Sequence, residues 1–145
     1  MDDYKIIINN QLVSDFNVRY KKVHFRSKKP AIKGPIPPSL NEWINMNPLQ
    51  RNDLKQKWKE FVVFLVNHYE LSDLMIPKCK IDIMYTFGTR HRHDADNYTP
   101  KFIFDGLTEA KVLADDDFGH VTSVTIGTFG YEQNNAKTEI IFHLL

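Results

Sequence analysis

The octet from Lys80 to Phe87 constrains this chain more than any other stretch. Ile81, Ile83, Tyr85 and Phe87 alternate there with Lys80, Asp82, Met84 and Thr86. Successive side chains of a strand face opposite ways, so the pattern predicts a strand with one buried face, ended by Gly88. Upstream, Asn47 precedes Pro48, and Gln50 sits where a capping box wants it. Leu54, Trp58, Phe61, Val62, Leu65 and Val66 then recur at helical spacing, while Lys55, Lys57 and Lys59 fall largely outside that stripe. The spacing predicts an amphipathic helix of about five turns whose aromatic stripe is core. Pro77 separates this helix from the strand.

The remaining elements read less sharply. Tyr4–Ile8 is a short strand, Asn9-Asn10 a turn, and Leu12–Val18 and Tyr20–Phe25 are weakly patterned extended segments. Pro30 to Pro38 holds four prolines and a glycine among its nine residues and cannot be helix. It reads as a connector into Ser39-Leu40-Asn41. A short helix is predicted from Thr99 or Pro100 to about Ala110, with Ile103, Phe104, Leu107 and Ala110 as its apolar side. An acidic turn, Asp115-Asp116-Asp117, follows. Val121–Phe129 and Thr138–Phe142 are predicted to form a hairpin joined by the polar loop Glu132–Lys137.

The 145 residues suit one domain. A hydrophobic fraction of 42% with 26% charged residues excludes a disordered, collagen-like or coiled-coil chain. No apolar run reaches the about 18 residues of a membrane span, and Met1 to Asn10 lack the pattern of a secretory signal. Cys79 is the only cysteine, so neither an intramolecular disulfide nor a cysteine-rich zinc site is available. A cytoplasmic protein is expected.

The formal net charge is only +1, but it is unevenly spread. Residues 1–60 hold 12 basic and 6 acidic side chains, and residues 61–145 hold 7 and 12. Arg19, Lys21, Lys22, Arg26, Lys28, Lys29 and Lys33 form a run with no acid, interleaved with Tyr20, His24 and Phe25. Such a run either supplies phosphate contacts to nucleic acid or is a solvated loop.

The chemistry concentrates in Arg90-His91-Arg92-His93-Asp94-Ala95-Asp96-Asn97. In an extended segment the carboxylates of Asp94 and Asp96 project from the same face, and two like charges so close call for cations nearby. Asp115-Asp116-Asp117 is a second acidic cluster. If strand and helix fold back on each other, the clusters meet, and three or four carboxylates there suit a hard cation such as Mg²⁺. Sites of that kind activate a water and stabilise the attacking and leaving oxygens of a phosphodiester. Lys101 opens the short helix just after Asp94 and Asp96, within reach of a scissile phosphate. Asp105 lies four residues on, as a further carboxylate or as the partner of Lys101. His91 and His93 offer a zinc pair, but no third histidine follows in the order such hydrolases require. No Gly-x-Ser-x-Gly elbow and no Gly-rich phosphate loop is present.

Taken in order, these pieces resemble the RusA family of Holliday-junction resolvases. The matching stretches are Pro37-Pro38-Ser39-Leu40-Asn41, the amphipathic helix, the alternating strand, Asp94-x-Asp96-Asn97, Lys101, Phe104-Asp105-Gly106-Leu107 and Asp115-Asp116, followed by the terminal strands. The likeness runs from about residue 25 to the end, leaving residues 1–25 as an N-terminal extension of the sheet or of the DNA surface. It implies a small α+β homodimer, with a mixed sheet and two main helices, that cuts four-way DNA junctions with Mg²⁺, or Mn²⁺ in its place. The family's catalytic carboxylates map onto Asp94, Asp96 and, by ungapped counting, Asp116, with Asp115 beside it as a further metal ligand. The family's lysine maps onto Lys101. The chain departs from the pattern in a longer spacing from Asp96 to Lys101, in three consecutive aspartates, and in an arginine stretch diluted by His91 and His93.

The expected protein is therefore a Mg²⁺-dependent endonuclease, bacterial or phage-encoded. Arg90, Arg92, Lys21, Lys22, Arg26, Lys28, Lys29 and Lys33 would hold the DNA backbone. The alternatives are a non-catalytic DNA-binding accessory protein of the same fold and a zinc hydrolase using His91 and His93.

Overall fold

The computed structural model describes residues 3–145. The alternating octet lies in strand β2 (Cys79–Phe87), where Ile81, Ile83 and Tyr85 are buried and Lys80 is exposed. The alternation breaks at the end of the strand. Thr86 is buried beside Tyr85, and the register with the neighbouring strand shifts between these two residues. A bulge there bends the strand just before the loop that carries the acidic motif.

The helix marked by Asn47 and Pro48 is α3 (Pro48–His68), with the capping box of Asn47 and Gln50 closed in both directions. Its stripe of Trp58, Phe61, Val62, Leu65 and Val66 is buried, as the spacing predicts. The short helix is α4 (Lys101–Glu109). It buries Phe102 and Gly106 beside Ile103 and Leu107, and leaves Phe104 half-buried. The connector Pro30 to Pro38 is irregular and leads into a five-residue helix, α2 (Leu40–Ile44), capped by Ser39 and Glu42.

The N-terminal part differs from expectation. Strand β1 (Tyr4–Ile8) is present, but the segments 12–18 and 20–25, expected as extended, lie largely in one helix, α1 (Asn10–Val23). Asn9 is its N-cap, with the side chain accepting from the Leu12 N–H, so Asn9-Asn10 starts a helix rather than closing a turn. Leu12, Val13 and Phe16 are buried one helical turn apart. Phe16 packs 5.1 Å from the ring of Phe61 and 5.5 Å from that of Phe64. Three valines, at 13, 18 and 23, lower the local helix preference, and packing on α3 overrides it. The fold thus has α1 as a main helix in addition to α3 and α4.

The last two strands, β3 (Val121–Tyr131) and β4 (Lys137–Leu144), do not pair with each other. The sheet order is β1-β4-β2-β3, so β2 lies between them where a hairpin was expected. β3 runs parallel to β2 after the α4 crossover, and β4 is antiparallel to both β2 and β1. A partner on each side satisfies the backbone N–H and C=O groups on both edges of the buried strand β2, and the connection from β3 to β4 passes over the end of β2. There Glu132 N–H donates to the Phe87 carbonyl and Asn134 N–H to that of Gly88. The outcome is an α+β domain with a four-stranded mixed sheet. Ile6 and Ile8 of β1, Ile140 and Phe142 of β4 and the β2 residues form one core with the helices. No helix among the described residues is long and apolar enough to cross a membrane.

Candidate metal and nucleic-acid site

Asp94, Asp96, Lys101, Asp115 and Asp116 are all exposed, and Asp105 is half-buried. The loop after β2 does not stay extended through the motif. Asp94 has extended backbone, and Ala95–Asn97 form one 3₁₀ turn, so Asp94 and Asp96 do not share the face of a strand. The loop is anchored by aromatic contacts. His93 stacks on Phe87 with centroids 3.8 Å apart and planes 5° from parallel, and its Nδ1 lies 3.2 Å from the Tyr98 hydroxyl. Tyr98 also packs 5.2 Å from Tyr85 and 5.8 Å from Phe87. Burial pushes the Tyr85 and Tyr98 phenols up, so both stay protonated. The Tyr85 Oη is buried with no hydrogen-bond partner among the described residues.

Two stretches far apart in sequence meet at this loop. Asn97 Oδ1 accepts from the Asn41 N–H at 3.0 Å, tying the motif to the start of α2. Trp43 of α2 stands over the beginning of α4, edge-on to Phe102 and 5.5 Å from the Lys101 ammonium. Among the described residues no carboxylate lies within 4.0 Å of Lys101, so Asp105, half-buried on the same helix, is not its salt-bridge partner. Arg92 pairs with Asp94 at 3.0 Å, and Arg90 lies 4.9 Å over the ring of Tyr131.

The second acidic cluster lies elsewhere. Cys79 N–H donates to the His120 carbonyl, and Val121 N–H to that of Asp117, so Asp115–Asp117 sit beside the first residue of β2. Asp94 and Asp96 follow its last residue. The nine residues of the strand make eight steps between its ends, a span of about 26 Å at 3.3 Å per step. One chain therefore brings Asp94, Asp96 and Lys101 into one region, and Asp115 and Asp116 into another.

Within the second region, ligand atoms of Asp115, Asp117 and His120 all lie within 4.8 Å of one another, a set capable of holding a metal ion. The hydrogen bond from His120 holds the Asp117 carboxyl below the usual range. His120 belongs to no motif in the sequence, and its three-residue spacing from Asp117 is the one signal there that marks it. Asp94 and Asp96 offer oxygens only and are open to water, which fits a hard cation that keeps part of its hydration shell.

The basic run divides over two elements. Lys21 and Lys22 end α1, while Arg26, Lys28, Lys29 and Lys33 lie on the segment that follows, all exposed. The Asn17 amide holds this segment, donating to the Ile32 carbonyl at 2.8 Å and accepting from its N–H at 3.0 Å. The Thr138 hydroxyl of β4 donates to the Pro35 carbonyl at 2.7 Å. The segment is thereby fixed at the end of the sheet where β4 begins and β2 leads into its loop. No protein-family model matches the chain, and no curated protein matches it.

Proposed function

We propose that this chain is a Mg²⁺-dependent, structure-specific DNA endonuclease of the RusA type, acting as a homodimer on four-way junctions by paired phosphodiester hydrolysis. The observation that carries the reading is the tie of the Asp94–Asn97 loop to Asn41, 56 residues away, with Trp43 of the same helix standing against Lys101 at one end of β2. It brings the Asp94-x-Asp96-Asn97 loop, the Ser39-Leu40-Asn41 stretch and the start of α4 with Lys101 to one end of β2, and leaves Asp115-Asp116 at the other.

In this reading Asp94 and Asp96 hold the cation together with Asp116 and Asp115. Bound Mg²⁺ supplies Lewis-acid stabilisation of the phosphodiester oxygens and a more acidic water. Lys101 donates to a non-bridging oxygen of the scissile phosphate and offsets the charge that builds there. Arg90, Arg92 and the lysines after α1 bind the flanking phosphates. Because Asp116 lies at the opposite end of β2 from Asp96, the third carboxylate at each site is that of the second protomer. A twofold dimer then carries two composite sites, related as the two cut strands are.

The test is incubation of the protein with a labelled four-way junction and a matched linear duplex, with Mg²⁺ or with a chelator. Paired, Mg²⁺-dependent cuts in the junction alone are expected. Asp96→Asn is expected to abolish cleavage while junction binding survives. Full activity in that variant overturns the site, and tight binding without cleavage in any divalent metal favours the accessory-protein reading.

A further inference from the structure

Between the segment 29–38, the start of α3 and the far end of β2 lies a cavity of about 810 Å³. That is within the range of small-ligand sites, about 300–1,000 Å³. Its lining combines two chemistries. Phe87, His93 and Tyr98 bring aromatic rings, with Trp58 buried at its floor, and Lys29 and Lys33 bring ammonium groups. His93 is exposed while one face of its ring rests on Phe87, which leaves a pre-oriented aromatic surface in the cavity wall.

The charges there favour an anion. Lys29, Lys33 and Lys57 line the cavity against two carboxylates: Asp53, paired with Lys57 at 2.8 Å, and Glu42, which caps α2 through Ser39 and whose charge bears on Tyr98, so the excess of positive charge lies at Lys29 and Lys33. Lys29 and Lys33 have no carboxylate within 4.0 Å among the described residues. A flat ring and a neighbouring negative charge are therefore what this lining recognises. Single-stranded nucleic acid is held by that combination, aromatic side chains for the bases and lysines for the backbone. The cavity also has the right neighbours, because His93 adjoins Asp94 and Lys29 and Lys33 belong to the basic run.

We propose that the cavity captures one unstacked nucleotide of a DNA strand, its base on the His93–Phe87–Tyr98 cluster and its phosphate between Lys29 and Lys33. The inference rests on the reading of the chain as a DNA nuclease and adds a base-binding pocket beside its candidate catalytic loop. Where the arms of a junction are unstacked, bases at the branch point lack a stacking neighbour, so extruding one of them costs less than extruding a base from continuous duplex. Capture would then favour branched over linear substrate.

The experiment is equilibrium binding of the full chain, by fluorescence anisotropy in chelator, to a labelled twelve-residue oligodeoxythymidylate and to a matched duplex. His93 is exposed, but its ring also anchors the loop on Phe87, so circular dichroism checks that His93→Ala keeps the fold, and His93→Phe, which keeps a stacked ring, is expected to retain single-strand binding. Loss of one base–aromatic contact is expected to weaken single-strand binding about tenfold, with duplex affinity unchanged. Lys33→Ala is expected to lower the salt slope on the single strand by about 0.7. Equal losses on both DNAs, no loss on either, or no single-strand binding by the unaltered chain each overturns the pocket. The outcome is separable from that for the nuclease. Mg²⁺-dependent junction cleavage with an unaffected His93→Ala variant removes the pocket alone, and selective single-strand loss without any cleavage removes the nuclease alone.

Discussion

Gly106 shows how much one residue decides in this fold. It sits inside α4, where alanine is ordinarily the better helix former by about 1 kcal/mol. A Cβ at this position would collide with the Val62 Cβ and lie 3.0 Å from the Lys59 carbonyl of α3. The clashing atoms are backbone or next to it, so they cannot swing away. Overpacking costs about 1–3 kcal/mol, which outweighs the gain in propensity. Gly106→Ala is therefore expected to lower the urea midpoint with the slope unchanged, and a higher midpoint would refute the close approach. Glycine in Phe104-Asp105-Gly106-Leu107 was visible in the sequence as part of a motif. Its reason was not, because the clash lies between residues 44 apart. The same holds at the candidate site. Asp94, Asp96 and Lys101 stood out locally, whereas Trp43, Tyr98 and the Asn41–Asn97 hydrogen bond depend on which distant segments come together.

Among the elements, those with a self-contained signal were legible. The cap of α3 and the alternation of β2 need no partner to be recognised. Helix α1 was hidden because its valines favour extended backbone and its stabilising surface is α3. The neighbours of β3 and β4 were hidden because strand order is decided by which strand occupies the place beside β2. The segment after α1 offers a test of long-range holding. Ile32 is 1% exposed, and its N–H and carbonyl are both satisfied by Asn17. Asn17→Ala strands two buried polar groups, at a cost of about 1–3 kcal/mol. It is expected to increase proteolysis between residues 24 and 38, and unchanged cleavage would show that Thr138 suffices as the anchor.

His143 joins β4 to two other segments. Its Nε2 lies 2.8 Å from Asp82 on β2 and its Nδ1 3.0 Å from Asp3 before β1. Hydrogen bonds to Asp82 first and to Asp3 second raise its pKa above the ordinary value. The stabilisation is fully present below the unfolded-state value of about 6.5 and is lost as pH rises through the higher folded value. The thermal midpoint is expected to fall with rising pH in this window more steeply than in His143→Gln. Parallel profiles would remove the histidine from the account.

At the scale of the whole molecule, the separation of the acidic clusters is the main constraint on mechanism. Asp94 and Asp96 stand beyond Phe87, and Asp115–Asp117 stand beside Cys79, with the length of β2 between them. A site built from both therefore needs two copies, each giving its Asp94 and Asp96 to one centre and its Asp116 to the other. This arrangement has a consequence that a site within one chain does not share. Asp96→Asn and Asp116→Asn are each expected to be inert as homodimers. When the two variants are unfolded together and refolded as a mixture, the heterodimer holds one centre with both lesions and one with none. It is expected to nick a single strand of a four-way junction in Mg²⁺, without the paired second cut. If each chain builds its own centre, every centre in the heterodimer carries one lesion and the mixture stays inert. An inert mixture, beside unaltered protein that cuts after the same refolding, would return all the carboxylates to one chain and require the loops at the two ends of β2 to move towards each other.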